Sequence, residues 1–171
     1  MNIFYLHDNP EICAQYHADK HVVKQILECA QILSTVLEGK GTKILYKPTH
    51  KNHPVTLWVG ESWQNFSLTV RLFKALCKEY TFRYGKTHKC ETATQGIDFN
   101  AFKPLFDEFN YTRRPICTGE HEVSSDEALE AYREYYIDGK RELLNYTKRD
   151  IPLFIKEQMF ILTEGNLNHA L

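Results

Sequence analysis

The chain has 171 residues, of which 43% are hydrophobic and 13% aromatic, with a net charge of −1. That is enough apolar material for a substantial core, and one domain covering residues 1–171 is expected without a disulfide scaffold. The opening apolar run Met1 to Leu6 is short and has no basic leader, and no stretch approaches the ~20 apolar residues that span a bilayer, so a cytoplasmic protein with no membrane partner is expected.

In chain order, Asp8-Asn9-Pro10-Glu11 offers a cap followed by proline in a first turn, and the helical pattern continues over 10–37. Glu38-Gly39-Lys40-Gly41 ends it. Residues 42–54 read as a basic loop punctuated by Pro48 and Pro54. Over 55–84, Leu57, Trp58, Phe66, Val70, Phe73, Leu76, Cys77 and Tyr80 recur at helical intervals, and Gly85 stops the run. Residues 86–124 read mainly as loop with a short helix at 102–109. Ser124-Ser125-Asp126-Glu127 then caps a third helix over 128–146, with Gly139 as its weak point. The expected fold is mainly α, with three principal helices joined by long basic and acidic loops. The sequence after Asp150 carries no clear pattern.

Five cysteines (13, 29, 77, 90 and 117) are scattered, odd in number and lack a CxxC pair, which suits reduced thiols in a cytosol; Cys29 and Cys77 read as core. The small net charge conceals an asymmetry. Residues 1–89 carry twelve Lys/Arg against seven Asp/Glu, with six of the eight histidines, and residues 90–171 carry nine against fifteen. A basic half interleaved with aromatics suits a phosphate-bearing partner, a nucleic acid or nucleotide, while the acidic half argues against wrapping long duplex.

Four clusters could carry chemistry. On a helix turning 100° per residue, His17, Lys20, His21, Lys24 and Glu28 fall on one stripe, where Asp19 or Glu28 would offset the lysines. The same stripe also reads as a solvated face. The proline-limited loop brings His50, Lys51, Asn52 and His53 as hydrogen-bonding groups that suit a ligand. Arg83 and Lys86 end the second helix, where cations also favour the helix dipole. Arg113 and Arg114, beside Tyr111 and Thr112, could clamp a phosphate or pair with Glu120 and Glu122. The first helix and the 47–54 loop are expected to face each other, with His17, Lys24 and His53 in one pocket. Cys13, His17 and His21 are spaced i, i+4, i+8, but the sequence lacks the glutamate of HExxH and puts lysine before His21, so no metal or other cofactor is expected.

These residues carry a resemblance. Phe4-Tyr5-Leu6 with Asp8, Pro10 and Cys13, the helix His17-x-Asp19-Lys20-His21-Val22-x-Lys24, Asn52-His53-Pro54 followed by Trp58, Arg83-Tyr84-Gly85-Lys86 with His88, and Ala131-Tyr132-Arg133-x-Tyr135-Tyr136 look like a group of bacteriophage proteins, which would put this one in a host-cell cytoplasm. More distantly the layout resembles the helical pyrimidine-dimer DNA glycosylases of the endonuclease V type. That resemblance implies attack on the sugar C1′ by the α-amine exposed on loss of the initiator Met, with a glutamate seven positions after the first-helix histidine steering the Schiff-base steps. Counted from His17, that position is Lys24, and Asn2 is bulkier than the residues that usually permit Met removal. The expected reading is therefore a base-excision or base-modifying enzyme whose amine is Lys24 or Lys20, with Asp19 or Glu28 as acid/base and His50 or His53 orienting the substrate. A non-catalytic binder of a nucleotide or nucleic-acid end, and a zinc-dependent hydrolase, remain as alternatives. Nothing in the sequence indicates the oligomeric state.

Overall fold

A computed structural model describes residues 1–107 and 112–158. The fold is mainly α, and among the described residues there is no strand. Among the described residues the helices α1 Pro10–Tyr16, α2 Asp19–Gly39, α3 Pro54–Glu61, α4 Trp63–Tyr84, α5 Lys89–Thr94 and α6 Ala128–Gly139 follow in chain order. Short 3-10 helices lie at Phe99–Leu105 and Arg141–Leu143, and residues 153–158 are helical. The short helix expected at 102–109 is represented by the first of these; residues 108–111, Tyr111 among them, lie outside the described residues.

Two of the long helical runs are interrupted. The first starts as its sequence predicts, with the Asn9 side chain accepting from Glu11 N (2.9 Å) and Ile12 N (3.1 Å) and Pro10 in the first turn. It then stops at His17 and Ala18, whose ψ angles of 132° and 156° are extended. Tertiary partners take up the polar groups that the break frees. Asp19 N donates to Asn145 O (2.8 Å), Tyr146 OH to Tyr16 O (3.0 Å), Tyr84 OH to Asp19 O (3.2 Å) and Arg83 Nη2 to Gln15 O (3.0 Å).

The second run breaks at Ser62, an N-cap whose hydroxyl accepts from Asn65 N (3.2 Å). Asn65 in turn donates to Trp58 O and Thr112 Oγ1, both at 2.8 Å. Gly85 ends α4 in the left-handed region (φ 66°), where glycine carries no Cβ penalty. α6 begins at Ala128 with Glu127 as a cap that makes no side-chain bond. Ser124, expected in that cap, instead bonds Glu134 through both its N–H and its hydroxyl. The helix ends at Gly139, seven residues before the expected limit.

The core is continuous. α4 packs against both α1 and α2, and the extended segment Ile3, Phe4, Tyr5 and Leu6 runs through the interior, where Tyr5, Tyr132, Tyr136, Phe66 and Phe73 are the largest fully buried rings. The 42–54 loop is pinned along α2: Thr35 Oγ1 accepts from Thr49 N (3.1 Å) and Ser34 Oγ from Tyr46 N (3.4 Å). That path returns the chain so that His53 caps α3.

Arg83 is fully buried and bonds Glu79 (2.7 Å) and Asp19 (2.9 Å), while Arg149 makes two further bonds to Glu79. Truncating one partner of such a network leaves a charge uncompensated, so Arg83→Ala is expected to cost about 3–5 kcal/mol, measured by urea unfolding. An Arg83 substitution that leaves the unfolding midpoint unmoved would contradict this assignment.

Candidate active site

The first residues of the chain dock onto α2 through one glutamine and one glutamate. Gln25 and Glu28, three apart on the same helix face, stand next to each other. Gln25 Oε1 accepts from Phe4 N (3.1 Å), and its Nε2 donates to Asn2 O (2.8 Å) and to Glu28 Oε2 (2.7 Å). The same Glu28 oxygen accepts from the backbone nitrogen of Asn2 at 3.3 Å. Asn2 is held from its other side, where its Nδ2 donates to Cys117 O and its Oδ1 accepts from Tyr132 OH (3.2 Å).

Around this junction lies a cleft of about 300 Å³. Met1, Asn2, Phe4, His21, Lys24, Gln25 and Glu28 line it, His53 joins from the start of α3, and 117–119, Tyr135 and Lys140 complete it. Among the described residues that line it, Glu28 is the one carboxylate, set against two lysines. Glu28 is 8% exposed. Lys24 approaches its Oε1 to 3.7 Å from the solvent side, with a 69% exposed side chain, so the ion pair itself contributes only about 0.3–0.5 kcal/mol.

The two histidines of the cleft differ in surroundings. His21 packs edge-on to Phe4 (5.2 Å between ring centres) and against Tyr136 (5.0 Å). Burial, then the charges of Lys140 and Lys24, push its pKa down to about 4, so it is a neutral imidazole at neutral pH. His53 Nδ1 accepts from Val55 N (3.3 Å), which leaves the proton of the neutral ring on Nε2. Burial, then the N-terminal ammonium, then His50 hold its pKa below the ordinary histidine value.

The cleft thus joins Lys24, Glu28, His21 and His53, as the facing of helix and loop predicts, but not His17. That residue sits at the break between α1 and α2, fully buried, with Nδ1 donating to Cys13 O at 2.7 Å and Nε2 without a hydrogen-bond partner among the described residues. Its pKa falls to about 3, chiefly through burial. Asp19 is turned away as well. It accepts from Thr147 N and Oγ1 and pairs with Arg83, so its carboxylate is committed to the break. Burial works to raise its pKa, but the Thr147 donors and the Arg83 guanidinium outweigh it and hold the pKa below the usual value.

Lys20 is exposed outside the cleft, and Arg83 is structural. Lys86, His50 and Asn52 are exposed away from the cleft lining, and Lys51 borders a separate groove with Leu57 and Gly60. Arg113 pairs with Asp126 and Glu127, and Arg114 with Asp8 (2.9 Å) while lying over the Tyr5 ring, so neither meets Glu120 or Glu122. Cys13 is occupied beneath the N-terminal segment, its sulfur bonded to Leu6 N and Phe4 O. Among the described residues no group of three or more His, Cys, Asp or Glu is placed to hold a metal ion.

Residue spacing assigned no site role to Gln25 or Lys140, and it brought in Asn2 only for its bulk after Met1 and Tyr135 only within an aromatic motif. Gln25 lies three residues before Glu28, beside the polar stripe.

Residues 1–92, just over half of the chain, match the family of pyrimidine dimer DNA glycosylases. The chain belongs to that family. The matched residues contain the N-terminal segment, α1 to α4 and His53, whereas 117–119, Tyr135 and Lys140 lie beyond them. No curated protein and no solved structure matches the chain. Membership implies action on DNA, and among the described residues no helix is long and apolar enough to cross a membrane.

Because His17 and His21 are held neutral in the fold and protonate more readily when unfolded, stability is fully present above about pH 6.5 and is lost as pH falls through about 4 and then 3. The urea midpoint should fall between roughly pH 7 and pH 4. His21→Phe keeps the ring packing, removes one titration and should flatten that fall; an unchanged slope would show that His21 does not contribute.

Proposed function

We propose that this glycosylase cleaves the glycosidic bond of an unstacked nucleotide held in the cleft, with the chain's α-amine as nucleophile and Glu28 as the carboxylate of the later steps. The observation that carries this reading is the docking of the chain start on Glu28, with Asn2 N 3.3 Å from its carboxylate. Counting seven positions from His21, the first histidine within α2, reaches Glu28, the spacing that the family resemblance calls for. His17 precedes the helix and gives the wrong register. The amine is that of Met1, which lines the cleft and whose charge is felt by His53, or that of Asn2 once Met1 is removed.

The chemistry follows from those groups. The neutral amine forms a bond to C1′ as the C1′–N bond to the base breaks, and the departing base takes the electron pair and a proton. Ring opening gives a Schiff base. A carboxylate beside it removes a proton from C2′, and the electrons expel the 3′ phosphate. Glu28 suits that role because it is nearly buried, yet one oxygen faces the cleft mouth at Lys24.

A second reading makes Lys24 the amine, and its 3.7 Å approach to Glu28 is the observation in its favour. Borohydride reduction with abasic-site DNA separates the two, since only a Schiff base is trapped. We expect the wild type and Lys24→Ala to form the adduct, and a chain whose α-amine is blocked not to form it. The reverse pattern would assign Lys24. Glu28→Gln should retain DNA binding and lower turnover by about 10²–10⁴-fold. Absence of any adduct alongside tight binding of a free nucleotide would make the protein a binder.

The basic half supplies the attraction for DNA. Affinity should therefore fall with added salt, with a slope of about −0.9 per phosphate contact in duplex, measured by anisotropy; a flat profile would contradict DNA as the partner.

A further inference from the structure

Behind the cleft, three buried polar atoms without a hydrogen-bond partner among the described residues fall on rings that touch: His17 Nε2, His21 Nδ1 and Tyr136 Oη. The Tyr136 ring centre lies 6.1 Å from that of His17 and 5.0 Å from that of His21. Phe4 closes the group, 6.4, 5.2 and 5.5 Å from His17, His21 and Tyr136. His17 and Tyr136 have no exposed surface and His21 has 5%. What is already bonded limits what these atoms can do. His17 Nδ1 donates to Cys13 O at 2.7 Å, so Nε2 of the neutral ring is an acceptor. The Tyr136 hydroxyl has the Ala18 N–H beside it, outside hydrogen-bonding geometry, and its own proton has no acceptor. Native folds rarely leave buried polar atoms in this condition, and a cluster of mixed donors and acceptors is where an ordered water resides.

We propose that one buried water joins the three, accepting from Tyr136 Oη and donating its two hydrogens to His17 Nε2 and His21 Nδ1, and that it thereby fixes the His21 proton on Nε2. Water balances the set, with two hydrogens for two imidazole acceptors and a lone pair for one hydroxyl. A metal ion in the same place would meet the charges of Arg83, Lys24 and Lys140, which act on these histidines. The consequence lies in the cleft, which His21 lines together with His53, whose proton is on Nε2 as well. The cleft then holds two neutral imidazole N–H donors. On the glycosylase reading, on which this consequence rests, they meet carbonyl oxygens of the linked pyrimidine rings, onto which the electron pair of the breaking C1′–N bond spreads. His17 and Tyr136 are positioning residues, acting through the water on the tautomer of His21.

A crystal structure and imidazole 1H–15N correlation spectra test the site without DNA. We expect an ordered oxygen about 2.6–3.2 Å from each of the three atoms, and His21 protonated on Nε2. Tyr136→Phe keeps the ring and removes one partner, so it should lose the water and leave His21 as a mixture of tautomers. His17→Leu removes a partner from the other side, should do the same, and serves if the first variant fails to fold. On UV-irradiated duplex both should lower kcat roughly 3- to 10-fold at unchanged KM, and His17→Gln, which keeps an acceptor near the Nε2 position, should recover most of what His17→Leu loses. A direct bond from Tyr136 Oη to either imidazole with no oxygen between them, a wild-type His21 proton on Nδ1, or variants unchanged in tautomer or in kcat would overturn the proposal. A wild type that neither excises nor traps abasic-site DNA would instead overturn the glycosylase reading, and the oxygen and the His21 tautomer would still decide the water.

Discussion

A guanidinium with no access to water has to be matched by carboxylates and carbonyls, and the matching of Arg83 determines how the first forty residues are arranged. Its three nitrogens bond Glu79 on its own helix, Asp19 at the start of α2 and the carbonyl of Gln15 near the end of α1. The two helices are therefore held at their junction from the side of α4, whereas in a continuous helix through His17 and Ala18 the Gln15 carbonyl would accept from Asp19 N, which here donates to Asn145 O. Thr147, Asn145 and Tyr146 complete the junction from the far end of the described chain. The pairing is costly to desolvate, and its worth lies in the geometry that it specifies more than in net stability.

The cleft follows from that junction. With α2 restarted at Asp19, its side chains at 21, 24, 25 and 28 share a face beside the N-terminal segment, whose buried backbone needs partners because it belongs to no sheet. Gln25 supplies them, accepting from Phe4 N and donating to Asn2 O. One amide thereby satisfies the backbone on both sides of Ile3 and fixes the position of Glu28 through its second hydrogen. A carboxylate held in this way costs no reordering when a substrate arrives, which is the physical content of preorganisation.

Charge is distributed in keeping with this arrangement. The carboxylates that the sequence places near the stripe have separate duties: Asp19 neutralises a buried arginine, whereas Glu28 meets the chain start and an exposed lysine. His17 and His21 divide likewise. Both are neutral through burial, but His17 closes the helix junction and His21 lines the cleft against Phe4. His17 and Asp19 thus serve the helix junction, the one lying in the extended break and the other at the first position of α2 against Arg83, while His21 and Glu28 further along α2 serve the cleft.

Local pattern alone carried the helical class, the Asn9-Pro10 start, the stop at Gly85 and the polar stripe with Glu28 at its end, since caps, left-handed glycines and 3.6-residue periodicity are properties of adjacent residues. The breaks at His17 and Ser62 lay beyond it, because each depends on distant groups, Arg83 and Thr147 in one case and Thr112 in the other. The pairing of Asn2 with Glu28, and the arrival of Tyr135 and Lys140 at the same cleft, are likewise decided by how a buried N-terminal segment and α6 pack against α2. Residue spacing records what one helix can present. Which of those faces becomes a site is decided by the partners that supply hydrogen bonds and exclude water, and these come from 21 to 128 residues away.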